Sequence, residues 1–153
     1  MIHYTSDTAL LPTIEMTGFF VGWPNPPPDE RFRAILKHSD HVWMAMDGNK
    51  MVGFVTMITD RVFYGYVPLL EVLPAYQGKG IGSTLISRMK QTGHYLYAID
   101  LICDHSNVAM YERNGFRKSN GMILRNYQNQ CAPRTLDRQG ETPEPHVADP
   151  DEL

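Results

Sequence analysis

Between residues 80 and 92 the apolar positions fall on one helical face, with Ile81, Leu85 and Met89 four apart and Ile86 beside them. That spacing predicts a helix which Gly93 stops. A second helix is predicted from Asp29, with Pro28 at its start, Asp29 and Glu30 near its positive end, and Phe32, Ile35 and Leu36 on one face. A third is predicted over residues 106–114, ended by Gly115, and a short one from Ser6 or Asp7 to Thr17, ended by Gly18. Runs of strand character cover residues 2–5, 42–46, 51–55, 54–58, 63–73, 97–103 and 121–127. The first long pair flanks Asp47, Gly48, Asn49 and Lys50, where a glycine supplies the positive φ that a tight hairpin turn needs. A meander of antiparallel strands is therefore expected, followed by helix, strand, helix and strand. Pro68 interrupts one strand run, and a residue with no N–H is tolerated in sheets only at edges, bulges or strand ends. The sheet is expected to loosen there.

A length of 153 residues with 42% hydrophobic content makes one domain of ordinary size. Residues 1–130 are read as that domain. Residues 131–153 carry six acids against two bases, with Pro133, Pro143, Pro145 and Pro150, and almost no large apolar side chain follows Leu136. Such a segment is expected to be a disordered tail, because it buries too little surface to offset its ordering entropy. The net charge of −3 gives no basic footprint for nucleic acid. No apolar run of membrane-spanning length and no signal-peptide pattern is present, which predicts a cytoplasmic protein without a membrane partner. Cys103 and Cys131 form no metal-ligand spacing with neighbouring histidines, so neither a metal site nor a disulfide framework is expected.

The chemistry concentrates where the strand run ending at Leu73 meets the helix at residue 80. Between them lie Pro74, Ala75, Tyr76, Gln77, Gly78, Lys79, Gly80, Ile81, Gly82 and Ser83. Three glycines at alternate positions let the backbone approach a ligand closely, and the helix start directs N–H groups at an anion. A P-loop would place lysine after the last glycine, whereas Lys79 precedes Gly80 and Gly82. A dinucleotide fingerprint would need G-x-G-x-x-G early in the chain, not G-x-G-x-G after several strands.

What this loop resembles is the Q/R-x-x-G-x-G/A pyrophosphate loop of the GNAT superfamily of N-acetyltransferases. Leu70, Glu71, Val72, Leu73 and Pro74 resemble that family's fourth strand, and Tyr111 to Phe116 its Y-x-x-x-G-F segment. The likeness covers roughly residues 2–127 and is strongest over 67–116. It implies a mixed α/β (α+β) fold whose mostly antiparallel sheet has helices on both faces and splays between its fourth and fifth strands. It also implies acetyl-CoA as co-substrate, with pantetheine held by backbone groups of Leu70 and Val72 and pyrophosphate by Gln77, Gly78, Lys79, Gly80, Ile81, Gly82 and Ser83. Lys79 would add charge at the rim, although a lone lysine there is also an ordinary surface residue. In the family the helix-loop-helix region, whose loop corresponds here to Phe19 to Pro28, covers the acceptor site. Its aromatics, Trp23 included, can equally be a proline-rich linker patching the core.

Tyr111 matches the family tyrosine that protonates the departing sulfur, the alternative being a core aromatic beside Gly115 and Phe116. The acceptor base is open. Glu71 lies beside the expected acetyl site, but adjacent strand residues point to opposite faces, so it and Val72 cannot both face the cofactor without a bulge. Tyr66 and Asp100 are rivals, as is a chain of waters. Many relatives have asparagine seven residues before the tyrosine, where this chain has Asp104, with Asn107 one helical turn from Tyr111, so neither carries a role by resemblance. His105 reads as an exposed turn residue. The reading that follows is an N-acetyltransferase working by direct attack of a primary amine in a ternary complex, with no metal. Its rival is a non-catalytic domain that binds acetyl-CoA or CoA. The acceptor is a small-molecule or peptide amine, or a protein lysine, and a homodimer is compatible with the family.

Overall fold

The computed structural model describes residues 1–130. The strands are β1 (His3–Thr5), β2 (His41–Asp47), β3 (Lys50–Thr59), β4 (Tyr64–Val67), β5 (Leu70–Val72) and β6 (Ala98–Leu101), and the helices α1 (Asp29–His38), α2 (Ile81–Thr92) and α3 (Val108–Arg113). The sheet runs β1-β2-β3-β4-β6, with β5 also paired to β3. All pairs are antiparallel except β4 with β6.

The β2–β3 hairpin closes with Asp47 opposite Lys50, and Gly48 takes φ +60° at the first turn position. The apolar run of residues 51–58 forms one continuous strand, not two. Its alternation divides the core. Phe54 faces the cluster containing Phe32, Leu36 and Met44 on the α1 side, while Val55 and Met57 face Leu85, Ile86 and Met89 of α2. The sheet thus lies between α1 with the N-terminal segment on one face and α2 with Tyr111 of α3 on the other.

Pro68 breaks the next strand as its missing N–H predicts. β4 pairs with β3 at Ile58↔Tyr66, β5 at Val55↔Leu70, and the change of register leaves one extra residue around Pro68 and Leu69. Leu69 C=O still accepts from Thr56 N–H at 3.0 Å, so the strand bulges without leaving β3. On the other side β4 follows β6 only as far as Val67↔Leu101, and β5 has no partner there among the described residues. That is the splay.

Two expected elements differ. The helix of residues 7–17 is only a 3₁₀ turn, Thr8–Leu10, capped by Asp7 accepting from Ala9 N–H at 2.9 Å. Pro12 cannot donate to a helix interior, and Glu15 instead pairs through its backbone with Asn49 and Met51. Residues 121–126 form no strand: Met122 is 97% and Leu124 93% exposed, and no described layer covers them to satisfy the apolar alternation. The tail expected at 131–153 lies outside the described residues.

Candidate active site

Strand β5 leads into the glycine loop through a 3₁₀ turn, Pro74–Tyr76, with proline at its first position, where no donor is required. Leu73 N–H donates to Val52 C=O at 2.9 Å, and the Gln77 side-chain amide donates to Val72 C=O at 2.9 Å, bracing the loop against the strand it leaves. Gly78 and Gly80 then adopt left-handed angles of +73° and +78°, which β-carbon-bearing residues rarely take. A Cβ at either would meet nothing within 4 Å, so the space in front of them is open. Gly82 lies inside the first turn of α2, facing Leu70 and Val72 at ordinary contact distance.

From Gly78 through Ser83 no backbone N–H donates to any described group. These donors precede a helix of 12 residues whose dipole adds positive potential at the same point. An anion fits there without displacing any protein contact. Lys79 folds back: its ammonium donates to Ala75 C=O at 2.9 Å and lies 5.1 Å from the Tyr76 ring centre. The Ser83 hydroxyl accepts from the Asn114 amide at 3.1 Å, and Asn114 also donates to Met110 C=O, tying the start of α2 to the end of α3.

That tie positions Tyr111. The ring packs edge-on to Phe116 and joins the core cluster with Val67, Val72 and Leu85, where it is 8% exposed. Its hydroxyl makes no hydrogen bond to a described group, yet it is not among the sealed, unpartnered polar atoms. Burial, with a smaller contribution from Cys103, pushes its pKa up to about 12. The phenol therefore keeps its proton through the neutral range and acts as a donor. Burial and the neighbouring Asp104 raise the Cys103 thiol as well, against a nucleophilic role.

On the opposite face of β5 the Glu71 carboxylate accepts from Phe20 N–H at 2.9 Å and Val21 N–H at 3.2 Å. It clamps a loop in which Phe20 itself has φ +60° and Gly22 +80°. A left-handed phenylalanine costs roughly 1–3 kcal/mol, and two hydrogen bonds to a carboxylate offset it. Just beyond the clamp, Gly22, Trp23 and Pro24 wall a cleft that reaches Pro68 and Leu69 at the strand bulge. Tyr66 of β4 lies opposite Asp100 of β6 in the parallel pair, and the Asp100 carboxylate accepts from the Tyr64 hydroxyl. Asp104 precedes a 3₁₀ turn without a side-chain capping bond, and Asn107 and His105 are exposed.

The structure thus gathers Leu70, Val72, the glycine loop and Tyr111 about the α2 side of the splay, and sets Glu71 on the far side. Sequence reasoning missed Asn114, Phe20 and the side-chain role of Gln77. Asn114 stands directly before Gly115 in the segment that drew attention to Tyr111. Nothing in the local sequence marks Phe20 for a left-handed turn.

Comparison with protein-family models matches residues 9–116 to the acetyltransferase (GNAT) family. This chain belongs to that family. Among solved structures, a candidate acetyltransferase from Deinococcus radiodurans R1 is 35% identical, with a TM-score of 0.78 over 87% of this chain and 94% of its own. A GNAT-family protein from Streptococcus pneumoniae TIGR4 is 28% identical, with a TM-score of 0.63 over 82% of this chain and 98% of its own. The glucosamine-6-phosphate N-acetyltransferase of Arabidopsis thaliana, 15% identical, shares the fold with a TM-score of 0.61 over 82% of this chain and 98% of its own. No curated protein matches the chain. Family and fold together support acetyl transfer, with acetyl-CoA as the family's donor. The open glycine cradle and its free N–H groups fit a pyrophosphate.

Proposed function

We propose that the protein is an acetyl-CoA-dependent N-acetyltransferase in which a primary amine attacks directly within a ternary complex. What supports this most is the row of unpartnered N–H groups from Gly78 to Ser83, opening beside a split between β5 and β6 with the free Tyr111 hydroxyl close by in the same core cluster. In this reading Gly78, Lys79, Gly80, Ile81, Gly82 and Ser83 hold the pyrophosphate through backbone donors, while Gln77 braces the loop. Backbone groups of Leu70 and Val72, lacking a strand partner toward β6, hold pantetheine and polarise the acetyl carbonyl. Tyr111 donates a hydrogen bond to sulfur as negative charge develops on it. Acetyl-CoA supplies the activated acyl group.

The amine must arrive neutral or lose a proton. At pH 7 an ε-amine of pKa about 10.4 costs about 4.6 kcal/mol to neutralise, whereas an α-amine near 7.8 costs about 1 kcal/mol. Glu71 is the carboxylate nearest the splay along the chain, and it already holds two backbone donors. We therefore assign Glu71 to positioning the acceptor wall and favour a water-mediated route for the proton, which suits a weakly basic amine. The same occupied carboxylate is the observation that favours the binding-only alternative. The acceptor is read as a small-molecule or peptide amine in the cytoplasm. No helix among the described residues is long and apolar enough to cross a membrane.

A ligand that binds only the folded state stabilises by about 2.7 kcal/mol at a hundredfold excess over Kd, so acetyl-CoA should raise the melting temperature and CoA should compete with it. Calorimetry at millimolar concentration showing no binding of either would remove the donor assignment.

A further inference from the structure

The cleft on the α1 side has a volume of about 760 Å³ and is walled chiefly by Trp23, Pro24, Ile35, Ile58, Leu69 and Tyr127. It meets the bulge at Pro68 and Leu69 from the face opposite α2, whereas the free N–H row opens at the start of α2. Two ligands can therefore approach the same break in the sheet from opposite sides. Among the described residues no carboxylate lines the cleft; the titratable side chains that do are Arg125, His38 and Tyr127. Behind the wall, Arg31 donates to Asn129 C=O at 2.8 Å and makes no ion pair with a described carboxylate. Among the described lining residues the side chains that can carry charge at neutral pH are thus basic. A second ammonium group on a substrate would find no counter-charge among the described lining residues, while aromatic and branched aliphatic surface would meet matching walls.

We infer that this cleft takes the acceptor and selects a primary amine with an aromatic or branched aliphatic body and a carboxylate, at the expense of polycationic amines. The inference rests on the acetyl-transfer reading and adds the acceptor's class. Trp23 and Tyr127 pack against the body of the amine, and Arg125 meets its carboxylate. The Glu71 clamp on Phe20 and Val21 holds the Trp23 wall in place.

The test compares kcat/KM for phenylalanine, phenethylamine, spermidine and kanamycin at saturating acetyl-CoA, with calorimetric titration of each amine into the CoA complex as a second readout. Phenylalanine should exceed phenethylamine by about tenfold and spermidine by about a hundredfold. Trp23→Ala should raise the KM for phenylalanine about tenfold while the KM for acetyl-CoA stays put, and Arg125→Gln should erase the preference for the carboxylate. The Trp23 side chain is 41% exposed but its ring packs edge-on to buried Phe20, so melting curves accompany the Trp23→Ala kinetics and the exposed Arg125→Gln serves as the independent variant. Turnover that favours spermidine or kanamycin, or is indifferent to both substitutions, would overturn this inference alone. No turnover with any amine would overturn the acetyl-transfer reading along with it.

Discussion

Tyr111 joins a core position to a chemical one, and the two roles make different demands on its hydroxyl. With a pKa of about 12, it is a weaker acid than a thiol near 8.5, and complete proton transfer to free thiolate is uphill by about 5 kcal/mol. The contribution we propose for it is then a hydrogen bond that strengthens as charge reaches sulfur. Tyr111→Phe keeps the ring against Phe116 and should lower the single-turnover rate by about 10² or more while acetyl-CoA affinity changes little. The raised pKa also has a stability signature. Because the folded state holds this proton more tightly than the unfolded state, its contribution is complete below pH 10 and is lost as pH rises toward 12, about 3 kcal/mol in all. Denaturant titrations at pH 8 and pH 11.5 should show a larger loss of stability in the parent protein than in Tyr111→Phe. At Gly80, alanine meets no neighbour within 4 Å, so its cost to folding comes from the left-handed angle alone, about 1–2 kcal/mol. Its Cβ enters the space assigned to pyrophosphate. Gly80→Ala should therefore weaken CoA binding at least tenfold per folded molecule while the melting temperature falls only a few degrees; unchanged affinity would make the glycine an ordinary turn residue. Motif spacing alone marks Tyr111 and the glycines as candidates. It does not mark the vacancy of the hydroxyl and N–H groups, because partners such as Asn114 and Val72 reach the site through tertiary packing.

Elements, not single residues, set the two sides of the site apart. The bulge at Pro68 and Leu69 lets β5 stay on β3 while β6 diverges, and β5 then presents Leu70 and Val72 to α2 and Glu71 to the loop before α1. The break was legible because proline lacks a donor, and α2 because its apolar period is regular. The helix expected over residues 7–17 failed at Pro12, and Glu15 found a backbone partner in β3 that no local pattern announces. Glu71 was legible as a carboxylate near the site, but its bond to residues about 50 positions away was not. Glu71→Gln turns an amide donor toward one of the two backbone donors. It should lower stability by about 1–3 kcal/mol and raise the amine KM more than it lowers kcat. A collapse of kcat at unchanged KM and stability would instead make Glu71 the base.

At the scale of the molecule, a mostly antiparallel sheet carries the open glycine loop on one face and a largely apolar cleft, lined by Arg125 and His38, on the other. Two readings of the sequence led here, the mixed order of strands and helices and the two motifs about 30 residues apart. The family match over residues 9–116 confirms the resemblance they support. The acceptor class we propose has no signal in the sequence, because the cleft draws on residues from Gly22 to Gln130, brought together only by the fold. What separates an enzyme from a domain that merely holds the cofactor is whether the acyl group leaves. The most direct measurement is release of free CoA thiol from acetyl-CoA, followed continuously as a panel of neutral, carboxylated and polycationic amines is added. The account predicts release that depends on both protein and amine and saturates with amine concentration, with one acetylated product per thiol. Tight acetyl-CoA binding with thiol release no faster than in the absence of every amine would contradict it.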